Sequence, residues 1–159
     1  SDELEITSFD IERIDPYHLP EQTEYQFEPT IPLNPNALKV EFKVEIEQKE
    51  NRSLHISGKT NLYDNAKLLL SIKKTGGKLY GQNKADVKNG NFDFGLFNYK
   101  ERGYEPGNYT IEIIVSIPST QPESFRLKAG LEYENLAGPY VKRSEIAPII
   151  KYKENFKVL

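Results

Sequence analysis

Two histidines and a few same-side carboxylates are the side chains here best suited to acid–base or metal chemistry. His18 lies in a proline-rich stretch. His55 stands between Leu54 and Ile56, so strand alternation turns its ring away from their face and toward solvent. A metal site or catalytic relay needs a histidine held by a partner at fixed spacing, and no such ligand set accompanies either one. Glu41, Glu45 and Glu47 share one side of an alternating run, and Glu132 and Glu134 share another. Neighbours at i, i+2 on a strand stand about 7 Å apart, a separation at which a glycosidase acid–base pair can work. Lys39 and Lys43 interleave with the first set, as on a solvated outer face. Asp64-Asn65 and Asp86 offer hard oxygens to calcium but lack the repeated Asp spacing of a calcium loop, so they read as turns. The expectation is no catalytic residue, no metal and no cofactor.

Ten tyrosines and eight phenylalanines offer a different chemistry. Tyr63, Tyr80, Phe97, Tyr99 and Tyr104 fall in or beside expected loops rather than on core ladders. Lys73, Lys74, Lys78, Lys84, Lys88, Lys100 and Arg102 accompany them. Rings at loop ends stack on sugars or anchor a protein partner, or they close the open ends of a core. Basic residues with aromatics also suit single-stranded nucleic acid. The acidic overall balance, a formal net charge of −3, argues against that and favours an anionic cell-wall polymer or acidic membrane surface. The candidate binding residues are Tyr63, Tyr80, Tyr99, Tyr104, Lys78 and Arg102.

These side chains must be positioned by strands. Leu38, Val40, Phe42, Val44 and Ile46 point one way while Lys39, Glu41, Lys43, Glu45 and Glu47 point the other, the signature of a half-buried antiparallel strand. A charged turn at Lys49-Glu50-Asn51-Arg52 leads to a second strand, Leu54 to Thr60. Tyr63-Asp64-Asn65 then turns into Lys67 to Lys74. Thr75-Gly76-Gly77-Lys78 and Lys88-Asn89-Gly90-Asn91 read as hairpin turns, because their glycines supply positive φ. Leu79 to Val87, between them, is weakly apolar and reads as an edge strand. Phe92, Phe94 and Leu96 alternate next. Tyr109, Ile111, Ile113, Val115 and Ile117 form the longest apolar ladder, stopped by Pro118. Phe125, Leu127, Ala129, Leu131 and Tyr133 alternate again, as do Ile150, Tyr152, Phe156 and Val158. Eight or nine short runs without a convincing helix predict an all-β sandwich. Ahead of them, Leu4 to Ile14 reads as a first strand with a bulge. Residues 15–35 then hold five of the ten prolines and read as an extended surface connection.

Three pieces of this pattern carry a resemblance. Ile56-Ser57-Gly58-Lys59-Thr60 with Leu68 to Ile72, then Asn89-Gly90-Asn91-Phe92, then Glu105-Pro106-Gly107-Asn108-Tyr109-Thr110-Ile111 are together similar to bacterial immunoglobulin-like extracytoplasmic domains, including modules of spore-germination and lipoprotein families. The resemblance covers roughly residues 38–118. It implies an immunoglobulin-like antiparallel β-sandwich of about eight strands, with Gly58, Gly90 and Gly107 in structural roles. It also implies that the Tyr109 hydroxyl bonds back to nearby backbone and pins a corner between sheets. The Cys–Trp–Cys core of antibody domains is absent.

The chain of 159 residues suffices for one domain with its own core. We expect an acidic, proline-rich segment at 1–37 and the sandwich at 38–159. With no cysteine there are no disulfides and no thiolate chemistry. With no methionine and a polar, acidic start, the chain reads as the mature part of an exported protein from which a signal peptide or lipid-modified N-terminus was removed. No apolar run is long enough to span a membrane. Charge is uneven: residues 1–50 carry 13 acidic and 4 basic side chains, residues 51–159 carry 17 basic and 11 acidic. The expected function is a non-enzymatic module of the cell envelope, binding a protein or glycan partner through loop aromatics and lysines. The alternative is a secreted carbohydrate-active enzyme, or its accessory domain, working through a carboxylate pair.

Overall fold

The computed structural model describes residues 31–144 and 146–159. The expected first strand, His18 and most of the proline-rich segment lie outside the described residues. The described chain is all-β, in three sheets with one short α-helix. Its strands are β1 (Leu38–Lys39), β2 (Phe42–Gln48), β3 (Leu54–Thr60), β4 (Lys67–Lys74), β5 (Leu79–Asp86), β6 (Asn91–Phe97), β7 (Gly107–Val115), β8 (Leu136–Ala137), β9 (Val141–Lys142) and β10 (Ile149–Val158), with helix α1 (Glu123–Ala129) between β7 and β8. One sheet runs β9-β10-β7-β4-β5, a second runs β2-β3-β6, and β1 pairs with β8 in parallel.

Alternation explains most of this. On β7, Tyr109, Ile111, Ile113 and Val115 are at most 1% exposed while the residues between them stay partly wet. Each such side chain contributes about 1.5–3 kcal/mol by leaving water. Leu68, Leu70 and Ile72 of β4 join them from the same sheet, and Leu54, Ile56, Phe92 and Phe94 come from the three-stranded sheet into the same buried cluster. Gly58 on β3 leaves room for its neighbours in the same sheet, the β2 backbone and the Phe92 ring of β6. A Cβ there would stand 2.3 Å from the Lys43 carbonyl oxygen and 2.6 Å from Phe92 Cζ. The Thr75–Lys78 turn joins β4 to β5 as a true hairpin, with β5 at the sheet edge.

Several sequence expectations need correction. The run from Leu38 to Ile46 is not one strand: it changes partners at Val40-Glu41, from β8 to β3. Asn61 and Thr60 satisfy the backbone at that break. Asn61 Oδ1 accepts from Glu41 N at 2.8 Å, Asn61 Nδ2 donates to Lys39 O at 2.7 Å, and Thr60 Oγ1 donates to Glu41 O at 2.7 Å. The Asn89-Gly90 turn has the expected positive φ at both residues, 51° and 77°. Its flanking strands diverge into different sheets, however, so it is a crossover and not a hairpin. On β6 the inward residue after Phe94 is Phe97, and Leu96 is 63% exposed. A bulge at Gly95 (φ 84°), held by Asp93 Oδ1 accepting from Gly95 N at 2.8 Å, shifts the alternation by one.

The expected strand from Phe125 to Tyr133 is instead α1 and the turn that follows it. Phe125 and Ala129, four residues apart, are buried, whereas Leu127 is 72% exposed. Pro122 precedes the helix and Gly130, at φ 100°, follows it. Glu132 and Glu134 therefore do not share a strand face. Glu134 Oε1 accepts from Glu132 N at 2.9 Å in the turn.

That turn is tied down by Arg143, which donates to the carbonyls of Glu132 (3.0 Å), Tyr133 (3.0 Å) and Leu136 (2.7 Å). Burial pulls the arginine pKa below its usual value, and Glu134 and Glu132 oppose that pull. Arg143→Met removes the donors and leaves three carbonyls with poor access to water. The expected cost is about 2–4 kcal/mol in urea unfolding, and a loss under about 0.5 kcal/mol, the level of an ordinary surface change, would contradict this role.

Candidate functional site

Two loops meet at one end of the sheets. The β4–β5 hairpin brings Lys78 and Tyr80, and the β6–β7 connection brings Tyr99, Lys100, Arg102, Gly103, Tyr104 and Glu105. Between them lies a cleft of about 300 Å³, lined by Lys78, Tyr80, Tyr99, Lys100, Arg102 and Glu105 among others. Five of the six candidate binding residues thus come together. Tyr63 does not. Its ring centroid is 6.5 Å from that of Phe125, with Lys128 Nζ 5.9 Å away, so it closes the core beside α1.

The cleft is built on a ring stack. Tyr80 and Tyr99 centroids are 4.7 Å apart, Tyr99 and Tyr104 5.9 Å, and Tyr104 and Tyr109 5.8 Å. Tyr104 is buried and forms the floor rather than the wall. Its hydroxyl donates to Tyr80 O at 2.9 Å, fastening the β6–β7 connection to β5. Tyr104 N donates to Arg52 O at 2.9 Å and Arg52 Nε donates to Tyr104 O at 2.7 Å, fastening it to the β2–β3 turn as well. Tyr109 is equally buried, and its hydroxyl donates to Glu105 O at 2.7 Å across the bend at Pro106-Gly107.

Cations cover the rings. Lys78 Nζ is 5.4 Å from the Tyr80 centroid, Lys100 Nζ 5.1 Å from Tyr99, and Lys74 Nζ 5.4 Å from Tyr109. Each such contact is worth about 0.5–1 kcal/mol at an exposed site. Glu105 Oε1 lies 3.5 Å from Lys74 Nζ, which leaves Lys78, Lys100 and Arg102 without a carboxylate partner among the described residues. A flat sugar would have to displace an ammonium to stack on Tyr80 or Tyr99, so charge is the first thing this cleft offers a ligand. Sequence reading missed Gly103, the residue that lets the loop approach the β2–β3 turn. Its only signal was a glycine among basic and aromatic neighbours.

Burial pushes the Tyr104 pKa up from 10.0 to about 12, with Tyr109 and Tyr99 adding to the rise. Tyr109, Tyr133 and Tyr152 are also raised, chiefly by burial. A phenol whose folded pKa exceeds its unfolded value stabilises the fold fully below about pH 10. That contribution is lost as pH climbs through the folded value. Stability is therefore expected to hold to about pH 10 and fall between there and pH 12, with a step in tyrosinate absorbance coincident with unfolding. Smooth ionisation of every tyrosine near pH 10 with the fold intact would contradict it.

Elsewhere the polar groups are occupied locally. His55, expected to face solvent unaccompanied, is half-buried: Nε2 is 2.9 Å from Asp93 Oδ1 and Nδ1 3.7 Å from Glu47 Oε1. The Gly95 bulge is what brings Asp93 beside it. Asp93 is held below the usual carboxylate range, first by the Gly95 amide, and Glu47 is held low first by Lys49. Asp64 Oδ1 accepts from Asn89 N at 2.8 Å and Asp86 pairs with Lys67 at 3.2 Å. No cluster of metal-ligating side chains occurs among the described residues. A wider depression of about 540 Å³, lined by the three-stranded sheet and by the end of β5 with the crossover after it, mixes Lys43, Lys59 and Lys88 with Glu45, Asp86 and Asp93, so it offers no net charge.

No helix among the described residues is long and apolar enough to cross a membrane. Comparison with protein-family models, with curated proteins and with solved structures finds no match to this chain.

Proposed function

We propose that the protein is a non-enzymatic, extracytoplasmic binding or scaffolding module with an immunoglobulin-like sandwich fold, and that the Tyr80–Tyr99 cleft holds an anionic group of a protein or glycan partner in the cell envelope. The strand order supports the fold reading: β2-β3-β6 faces β10-β7-β4-β5, the arrangement of an immunoglobulin-like sandwich whose fourth strand has moved to the second sheet. The Tyr109 hydroxyl bond, to a carbonyl four residues back along the chain at the start of β7, has the form of a tyrosine corner. The extracytoplasmic placement follows the same sequence motifs.

The observation that carries the binding reading is the convergence of Lys78, Lys100 and Arg102, from two separate loops, on a cleft whose one carboxylate is already paired. Arg102 supplies a planar donor fork and the lysines supply point charges, which suits a carboxylate or phosphate group. The carboxylate-pair enzyme gains no such support: a general acid needs a raised pKa, and Glu47 is held low.

Affinity capture from the native envelope tests this, with the full chain and a Lys78→Ala/Lys100→Ala/Arg102→Ala variant as baits. The variant is expected to recover at least about tenfold less of the partner, equivalent to about 1.4 kcal/mol. Equal recovery with both baits would overturn the proposal.

A further inference from the structure

The outward face of the five-stranded sheet is a lysine surface that the cleft does not explain. Register places Lys153 of β10 opposite Glu112 of β7, Glu112 opposite Ser71 of β4, and Ser71 opposite Gln82 of β5, all on one face. Alternation then adds Lys151 and Lys157 on β10, Lys67 and Lys73 on β4, and Lys84 on β5. Lys142 joins from β9. The carboxylates on this face are Glu112 and Asp86. Glu112 is shared by Lys73 (3.4 Å), Lys151 (3.6 Å) and Lys153 (3.8 Å), and Asp86 is taken by Lys67. Lys84, Lys142 and Lys157 have no carboxylate partner among the described residues. Between the lysines runs a half-buried apolar stripe in which Ile114 pairs with Leu69, with Ile149 on β10.

We propose that this face is the docking surface for the chain's own residues 1–30. Three observations converge on that occupant. First, residues 1–30 contain nine acidic side chains and one arginine, a formal −8, whereas the rest of the chain is +5. Second, the stretch interleaves its acids with Leu4, Ile6, Phe9, Ile11 and Ile14, matching an apolar stripe flanked by lysines. Third, the described chain begins beside this sheet. Ile31 N donates to Glu132 Oε1 at 3.2 Å and Asn34 N to Glu134 O at 2.9 Å, while Glu132 O accepts from Arg143, the residue after Lys142 of β9. Thirty residues reach up to roughly 100 Å when extended, against a five-strand sheet about 20 Å wide. Tethering holds the local concentration of the acidic stretch near millimolar, ahead of any untethered anion at lower concentration. An external polyanion must then compete with the chain's own acids for these lysines, while the cleft at the end of the sheets stays open.

Carbodiimide coupling of the full chain, read by peptide mass spectrometry, tests this. Amide links are expected from the acids of residues 1–30 to Lys142, Lys151, Lys153 and Lys157, falling at least about fivefold at 0.5 M salt, where the screening length drops to about 4 Å. In a Lys142→Gln/Lys153→Gln/Lys157→Gln variant, links to the untouched Lys151 and Lys84 are expected to fall by a similar factor. Links confined to lysines off this face would overturn the proposal. So would links found only between heavy- and light-isotope chains in a mixed sample, which would make a second copy the occupant. If residues 1–30 couple nowhere on the face while linear polyphosphate protects its lysines from acetylation, the surface belongs to an external polyanion and the proposal is wrong.

Discussion

Gly103→Ala is expected to cost on the order of 3–5 kcal/mol and to lower the melting midpoint by about 10 °C or more. Gly103 has φ +79°, and a Cβ at that position would stand 1.8 Å from the Asn51 carbonyl oxygen and 3.1 Å from the Arg52 carbonyl carbon. Both obstacles are backbone, so no rotamer relieves them. The positive φ adds about 1–2 kcal/mol of its own. Relief requires the β6–β7 connection to lift away from the β2–β3 turn, which breaks the reciprocal Arg52–Tyr104 hydrogen bonds. That movement carries Arg102 and Lys100 with it, so the variant should lose partner recovery even at temperatures where it remains folded. A stability loss under about 1 kcal/mol, the level of a typical substitution, would show that the loop is not clamped there.

Replacing Tyr104 separates the floor of the cleft from its walls. Tyr104→Ala empties a fully buried ring site touching Tyr99 and Tyr109 and is expected to cost about 3–5 kcal/mol. Tyr104→Phe keeps the ring and removes only the donor to Tyr80 O, so about 1–3 kcal/mol is expected. Because Tyr104 is floor, the Phe variant should bind the partner nearly as the parent does, whereas the Ala variant should bind poorly as Tyr99 loses its support. Urea unfolding and affinity capture on both variants check this. Strong binding by the Ala variant would detach the ring stack from the function.

The parts legible in the sequence were those where one physical cause dominates. The ladder from Tyr109 to Val115 has a clean two-residue period in β-branched and aromatic residues, and the Gly76-Gly77 turn supplies the positive φ that a tight hairpin needs. Competing causes hid the rest. Over Glu123–Ala129 the apolar residues 125, 127 and 129 satisfy a strand period, yet 125 and 129 also satisfy a helical one. Pro122 ahead of the run and basic Arg126 and Lys128 in its last turn were the quieter helix signal. Leu96 and Phe97 exchanged faces because Gly95 inserts a bulge, which no hydrophobic count reveals. The Asn89-Gly90 turn has the local chemistry of a hairpin, but whether its strands stay paired depends on which sheet each can bury against.

Much the same division applies to the site. Residue types marked Tyr80, Tyr99, Tyr104, Lys78 and Arg102 as loop aromatics and cations. They could not show that two loops far apart in sequence meet, nor that Tyr63 lies elsewhere, because a loop's position is set by the sheet edges that carry it. They also could not separate a buried ring from an exposed one: Tyr104 and Tyr99 look alike in sequence and differ in depth because only Tyr104 has a carbonyl to reach beneath the surface.

Whether Lys78, Lys100 and Arg102 together hold an anionic group is decided by amide chemical-shift mapping of the full chain during titration with oligogalacturonate, against neutral oligogalactose as control. At about 10 mM probe even a binder of about 1 mM affinity is largely saturated. Saturable shifts are expected, centred on Lys78, Tyr80, Tyr99, Lys100 and Arg102, with the neutral sugar silent and the response abolished by Lys100→Ala/Arg102→Ala. Shifts confined to the lysine face of the five-stranded sheet, or none anywhere at that concentration, would contradict it.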